Sequence, residues 1–324
     1  MAWNIGANDL ANSMGDVVGS KALTLRQVII IAGILNFLGA TFFGSRVTST
    51  VAKGIVPISI IDAHLVILGC LAVLFSAGLW ITLATFFRLP VSTSHSVVGA
   101  MLGFGLGCTV MGVLRLDQIS WGVLGKIVIS WVLSPIAGMA LAFLIYKLVA
   151  RFIRSKGAGA EERLESGLFR YLVIASSCYQ AFSFGTNDVA NAIAPILPII
   201  GAIGEEVPVW ILVFGGLGIV VGLGTWGYRV IMTLGEKITE LKPSRGFSAD
   251  IACATTILVC SSFGMPVSTT HTIVGSVIGV GLARGFDAVN FGMVKSIVYS
   301  WLATIPAAAV VSMSVFIGLV RLGV

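Results

Sequence analysis

Two short polar segments interrupt the long apolar runs of this chain, and each occurs twice. Gly6-Ala7-Asn8-Asp9-Leu10-Ala11-Asn12 returns as Gly185-Thr186-Asn187-Asp188-Val189-Ala190-Asn191, and Pro90-Val91-Ser92-Thr93-Ser94-His95 returns as Pro266-Val267-Ser268-Thr269-Thr270-His271. The order is kept, at offsets of 179 and 176 residues. In the first segment the asparagines stand four apart, so on a helix both amides leave one face, with Asp9 rotated by about 100°. The small residues Gly6, Ala7, Ala11, Ser13 and Gly15 let another backbone come close. A carboxylate in such surroundings costs at least about 2.5 kcal/mol at the centre of a spanning helix and is read as functional by default. Asp9 and Asp188 are each the sole acid of their motif, and neither motif holds a Lys or Arg. The expected partner of each carboxylate is a bound cation.

The second segment offers the opposite chemistry. Proline at 90 and 266 biases the preceding residue away from helix, three hydroxyl residues follow, and an apolar helix is predicted to start at Ser96 or Thr272. A helix amino terminus at membrane depth presents free N–H groups and a dipole that favour an anion, and the hydroxyls can donate to further anion oxygens. Two such ends, one from each copy, can clasp one anion between them. A hard cation such as Na⁺ prefers oxygen donors, which the Asn, Asp, Ser and Thr side chains supply.

The elements that carry these groups follow from composition. Hydrophobic residues make up 57% of the chain and charged ones 10%, with a mean hydropathy of +1.02. An ordinary soluble domain has about 25% charged residues. Runs at Leu65 to Phe87, Ile127 to Tyr146, Val207 to Trp226 and Ser296 to Val320 contain no Asp, Glu, Lys or Arg, and each is long enough to span a bilayer. Together with a polar motif helix near Ile5 to Val18, a span at Gln27 to Phe43 and the segment Val97 to Leu114, the first half holds five membrane segments. An odd number inserts the second half upside down, the layout of many secondary transporters. The fold expected is an all-α polytopic membrane protein of two inverted-topology repeats, residues 1–146 and 171–324, with broken helices, re-entrant hairpins and about 10–12 membrane segments. Weaker echoes support the repeat: Gly44-Ser45-Arg46-Val47 with Gly227-Tyr228-Arg229-Val230, and Lys126 to Trp131 with Lys295 to Trp301. Between the repeats, residues 147–170 form a linker bearing Lys147, Arg151, Arg154, Lys156, Arg163 and Arg170, which the positive-inside rule places in the cytoplasm. The net charge of +6 is scattered through short loops and does not form a nucleic-acid-binding stripe. Cys70, Cys108, Cys178, Cys253 and Cys260 lie in apolar runs without metal-type spacing and read as small core residues. Tyr171 to Phe184 leads into the second Asn-Asp motif, whereas only Met1 to Ile5 precedes the first, so the first motif helix starts at membrane depth or its chain begins upstream.

The four motif copies resemble those of the PiT family of inorganic phosphate transporters, over essentially the whole chain. The resemblance implies symport of inorganic phosphate with a cation, with Na⁺ as the expected ion and protons or a metal–phosphate complex as the alternatives. It implies a site drawn from both copies: Asn8, Asp9, Asn187 and Asp188 toward the cation, and Asn12, Ser92, Thr93, Ser94, Asn191, Ser268, Thr269 and Thr270 toward phosphate. Some members carry an acid where this chain has Asn36, and the long hydrophilic central loop of animal members is reduced to roughly residues 147–170. The expected location is the cell membrane, and a homodimer is the ordinary prior for such a transporter.

Other readings of the residues compete. Sulfate suits hydroxyls and helix ends as well as phosphate does; a site that also accepts from a protonated oxygen separates the two. An intramembrane hydrolase would use Ser or Thr beside His, but the element recurs symmetrically and no Gly-x-Ser-x-Gly elbow is present. A passive anion channel is disfavoured because paired buried acids repel the anion unless cations neutralise them. His95 and His271 read as neutral rings holding the hairpin, Arg46 and Arg229 as snorkelling cations. Asp62 and Asp250 read as acids near helix starts, and the 39 glycines as close-packing positions.

Overall fold

The computed structural model describes residues 1–52, 54–87, 91–157, 159–202, 206–228 and 242–323, with the backbone alone at 293 and 296. Pro90 and Arg229 lie outside the described residues. All regular secondary structure within them is helical. In the first half α1 spans Ala2–Gly19, α2 Leu25–Phe43, α3 Ser45–Ala52, α4 Ala63–Phe86, α5 Thr93–Val110 and α6 Trp121–Ser155. After the short α7 (Ala160–Leu164) the second half follows with α8 Arg170–Ile193, α9 Val209–Trp226, α10 Pro243–Ser262, α11 Thr269–Arg284 and α12 Phe291–Leu322. Setting aside α3 and α7, five long helices stand on each side of α7 among the described residues, the number the sequence predicts for the first half.

Among the described residues five stretches are apolar and long enough to cross a membrane: α2, α4, α6, α9 and, within α12, Ile297–Leu322. The polar motifs lie on α1, α5, α8 and α11. Local chemistry fixes the starts. Thr24 and Gln27 form a reciprocal capping box on α2, and the Asp62 carboxylate accepts from the His64 amide at 2.9 Å to cap α4, as expected of an acid there. α5 and α11 begin at Thr93 and Thr269, three residues earlier than the sequence predicts. The reason is that Ser92 and Ser268 are themselves the caps, each accepting the amide of the histidine three residues on at 3.2 Å. The break expected at the hydroxyl motifs is present, between Phe86 and Thr93 and between Ser262 and Thr269. Both Asn-Asp motifs, by contrast, lie inside continuous helices, α1 and α8.

The halves are interleaved. α1 packs on α9 and α8 on α2; α5 packs on α12 and α11 on α6. Each motif helix therefore lies against a span from the opposite half. Glycines permit the approach: a Cβ on Gly6 would overlap the Ile219 carbonyl, and one on Gly185 the Asn36 carbonyl. Gly99 and Gly103 on α5 meet the main chain of Ile305 and Ala309, while Gly275 and Gly279 on α11 meet Pro135 and Met139. Both pairs are spaced four apart, the small-residue spacing of close helix crossings in membranes.

The segment between the halves is more helical than a linker. α6 runs 35 residues, about 52 Å at 1.5 Å per residue against a hydrocarbon core of about 30 Å, so its basic end with Arg151 and Arg154 projects beyond the span. Lys242 meets Glu161 at 2.7 Å, and Glu165 accepts from the main chain and hydroxyl of Ser244, tying this segment to the start of α10.

Candidate functional site

The four motifs converge at the interface of the halves. All twelve side chains expected in the site are buried, none more than 5% exposed. The three hydroxyls of each Ser-Thr-Ser or Ser-Thr-Thr run divide the work in the same way in both copies. The first caps its helix, as described. The second turns to the aspartate of its own half: Thr93 Oγ1 lies 3.4 Å from Asp9 Oδ2, and Thr269 Oγ1 lies 3.4 Å from Asp188 Oδ1. The third crosses to the other half: Ser94 donates to the Val267 carbonyl at 3.0 Å, and Thr270 to the Val91 carbonyl at 3.3 Å. The second asparagine of each Asn-Asp motif completes the crossing. Asn12 Nδ2 donates to Thr270 Oγ1 and Asn191 Nδ2 to Ser94 Oγ, each at 3.1 Å. Every one of these pairs maps onto its counterpart under the sequence offsets of 179 and 176.

The first asparagines serve as braces. Asn187 grips Val267 through both main-chain groups, donating to its carbonyl at 2.9 Å and accepting from its amide at 3.2 Å, and also donates to Asp188. Asn8 donates to Thr85 near the end of α4 at 3.1 Å. Asp9 accepts from Asn12 at 2.9 Å. Among the buried oxygens of this cluster, Asn12 Oδ1 and Asp188 Oδ2 find no hydrogen-bond donor. A buried acceptor without a donor is costly, and two of them beside two carboxylates form an oxygen-rich lining suited to a hard cation. The helix starts of α5 and α11, with Thr93 and Thr269 held only by long contacts, offer the complementary chemistry, N–H and O–H donors of the kind that suit an anion.

A second acidic cluster lies between α1, α8 and α10, toward α7. Ser177 Oγ is 3.2 Å from Asp16 Oδ1 and 2.6 Å from Asp250 Oδ2, and Ser176 reaches Asp250 at 3.1 Å. Gln180 links it to the central site by donating to the Asn12 carbonyl at 3.0 Å. Gln180 Oε1 and Asp16 Oδ2 have no donor. Asp250 therefore sits two turns inside α10 and does not serve its amino terminus. Asp16 was not singled out by the sequence; its signal is the i, i+4 step from Asn12 on the polar face of α1. Beyond the cluster a cleft of about 730 Å³ opens, lined by Lys21, Glu161, Glu165, Arg170 and Lys242 among others. On the opposite face Arg46 donates to the Ser262 carbonyl at 2.7 Å, capping the end of α10, so its role is a contact between halves rather than snorkelling alone. The five cysteines are free, with Cys70, Cys108 and Cys253 buried.

Comparison with known proteins follows the same lines. Residues 5–312 match the model of the phosphate transporter family. The chain is 39% identical to a protein of Pyrococcus furiosus provisionally named phosphate permease PF1020, covering 99% of this chain and 94% of that one. It is 36% identical to the chloroplastic inorganic phosphate transporter 2-1 of Arabidopsis thaliana, over 95% of this chain and 68% of that one. A solved structure described as the sodium-dependent phosphate transporter superposes with a TM-score of 0.89 at 36% identity, covering 100% of this chain and 97% of its own. Membrane-length apolar helices, a polar site buried between two halves and a match along nearly the full length lead to one conclusion: the chain is a multi-pass membrane protein, a transporter and not an enzyme, and it belongs to the phosphate transporter family.

Proposed function

We propose that this protein imports inorganic phosphate together with Na⁺ by alternating access, with the two halves as inverted repeats that rock about the buried site. The observation that carries the reading is the pairing of Asp9 and Asp188, in motifs without a basic residue, with two helix starts that favour an anion. Two carboxylates repel a phosphate unless cations lie between them, so the arrangement is suited to cation and anion together and poorly suited to either alone. Asn12 Oδ1 and Asp188 Oδ2 are the open cation donors; Thr93, Thr269 and the first-turn amides of α5 and α11 are the anion donors. The burial of every site residue fits a state closed to both sides, which a continuous channel does not require. The acids Asp16 and Asp250 extend the oxygen lining toward the cleft beside α7, a route for cations to the side we take as cytoplasmic from the basic end of α6. The membrane is then the cell membrane.

The test is radiolabelled phosphate uptake into proteoliposomes of the purified protein, comparing an inward Na⁺ gradient with K⁺ at clamped pH, with excess sulfate as competitor. The reading requires uptake that depends on Na⁺ and is indifferent to sulfate. Uptake driven by a pH gradient and blind to Na⁺ overturns the coupling ion; sulfate transport without phosphate transport overturns the substrate.

A further inference from the structure

One feature of the centre takes no part in holding ions. His95 and His271, each one residue beyond the hydroxyl that crosses between halves, meet edge to face with ring centroids 4.3 Å apart. Outside them, Trp131 of α6 lies 3.9 Å from His95, and Trp301 of α12 stacks on His271 at 3.5 Å. The four rings form one continuous run of contacts, Trp131, His95, His271, Trp301, stacked at one end and tilted or edge-on elsewhere, and its midpoint is the contact between equivalent residues of the two halves. Each histidine also lies against the main chain of the opposite tryptophan, His271 against Trp131 and His95 against Trp301.

An ordinary core would not be built this way. His95 Nδ1 and Nε2, His271 Nε2, and Nε1 of both tryptophans find no hydrogen-bond partner in the protein. Buried polar atoms are normally paired, and an unpaired group in a native structure calls for an account. With ring contacts predominating over directional bonds, the rings have room to shift over one another while remaining in contact. The tryptophans are placed where sliding has an effect: Pro135 lies one turn beyond Trp131 and Pro306 lies five residues beyond Trp301, inside α6 and α12. Pro135 cannot donate to the Trp131 carbonyl, which loosens α6 at the point where His271 touches its main chain.

We propose that this four-ring stack is the joint that couples closure of the anion clasp to the bending of α6 and α12, and that His95 and His271 are positioning residues for transport. The inference rests on the transport reading above. When the starts of α5 and α11 close on an anion, the histidines move with them, and the rings carry that displacement to the proline-weakened turns of the two long helices.

The experiment measures Na⁺-driven phosphate uptake for wild type, His95→Gln, His271→Gln, the double variant, Trp131→Phe and Trp301→Phe. Glutamine keeps a polar amide but removes the stacking ring; phenylalanine keeps a ring and removes the indole N–H. The expected result is a fall in maximal rate of at least 10-fold for each glutamine variant, with the KM for phosphate within threefold of wild type. The double variant should be no slower than the singles, and both phenylalanine variants should stay within about threefold of wild type. Wild-type rates in both glutamine variants overturn the joint and leave the transport reading intact. A loss that falls on KM instead makes the histidines substrate ligands and also overturns it. Failure of wild-type protein to take up phosphate overturns the transport reading, and the joint with it.

Discussion

Replacing Asp188 by Asn separates the charge of this residue from its place in the fold. Asp188 Oδ1 accepts from Asn187 at 2.9 Å and from Thr269 at 3.4 Å, while Oδ2 has no donor. Asparagine keeps a carbonyl oxygen where the two donors are and puts its NH₂ where nothing donates. Side-chain volume hardly changes and no hydrogen bond of the protein is lost, so stability should move by no more than about 1 kcal/mol. What disappears is a charged oxygen on the side of the site proposed to hold the cation. A charge-assisted contact contributes about 1.5–3 kcal/mol, which corresponds to a roughly 10- to 150-fold weaker affinity for the cation. The assay is the Na⁺ concentration giving half-maximal phosphate uptake in proteoliposomes, with thermal melting in detergent as a check on folding. Asp188→Asn should raise the half-saturating Na⁺ by that factor, or abolish uptake within reachable Na⁺, at an unchanged melting temperature. A variant with wild-type Na⁺ dependence would refute the assignment of this carboxylate to the cation.

Thr93→Ala and Thr269→Ala should each weaken phosphate affinity more than Na⁺ affinity, read from separate phosphate and Na⁺ titrations of uptake; equal loss of both would make these hydroxyls packing elements. Gly103→Val puts a side chain into the Ala309 main chain, and the overpacking should cost about 1–3 kcal/mol or more, seen as a lowered melting temperature. Gly224→Val, where an added Cβ meets nothing within 4 Å, should leave melting unchanged. The Glu161 carboxyl is held below its usual range chiefly by its hydrogen bond to Lys242. The stabilisation from that pair is therefore complete above the ordinary glutamate pKa of about 4.3 and is lost as pH falls through the lower folded value. Both side chains are largely exposed, so Glu161→Gln should change stability by only a few tenths of a kcal/mol, measured as a small shift in melting temperature at pH 7 that vanishes in acid.

The chemistry of the site was legible because it is out of place. An aspartate and two amides in an apolar run have few reasons to be there, and their recurrence at constant offsets made Asn8, Asp9, Asn12, Asn187, Asp188 and Asn191 visible together with the hydroxyl runs. The long spans were equally plain, since nothing charged interrupts them. What pairs with what was not legible. Asn12 meets Thr270 across 258 residues, and no periodicity within either half states that α1 belongs against α9. The separate duties of Ser92, Thr93 and Ser94 depend on which way each hydroxyl leaves the first turn of α5, and three like residues in a row conceal that difference. The sequence puts the helix starts three residues late because three hydroxyls before an apolar run do not show which of them caps the helix, and the first one does. The sequence does not join Asp16 to Asp250, because their common partner, Ser177, looks like an ordinary small residue in an apolar helix. The ring stack was hidden for a similar reason: each histidine, taken alone, suits a structural part, and only their meeting across the interface suggests more.

The interleaving of the helices also constrains how the protein is made. A ribosome delivers α5 well before α12, the last long helix, yet the glycine face of α5 is shaped for α12 and for no helix of its own half. During synthesis that face, and the crossing hydroxyl of Ser94 at its head, must wait in the bilayer for partners from the second half, Asn191 and Val267 for the hydroxyl and Ile305 and Ala309 for the glycines. The first half is thus an incomplete intermediate by design, open along its glycine seam until α12 is made. Early termination should leave a chain that inserts but cannot close, and a separately synthesised second half should be able to complete it.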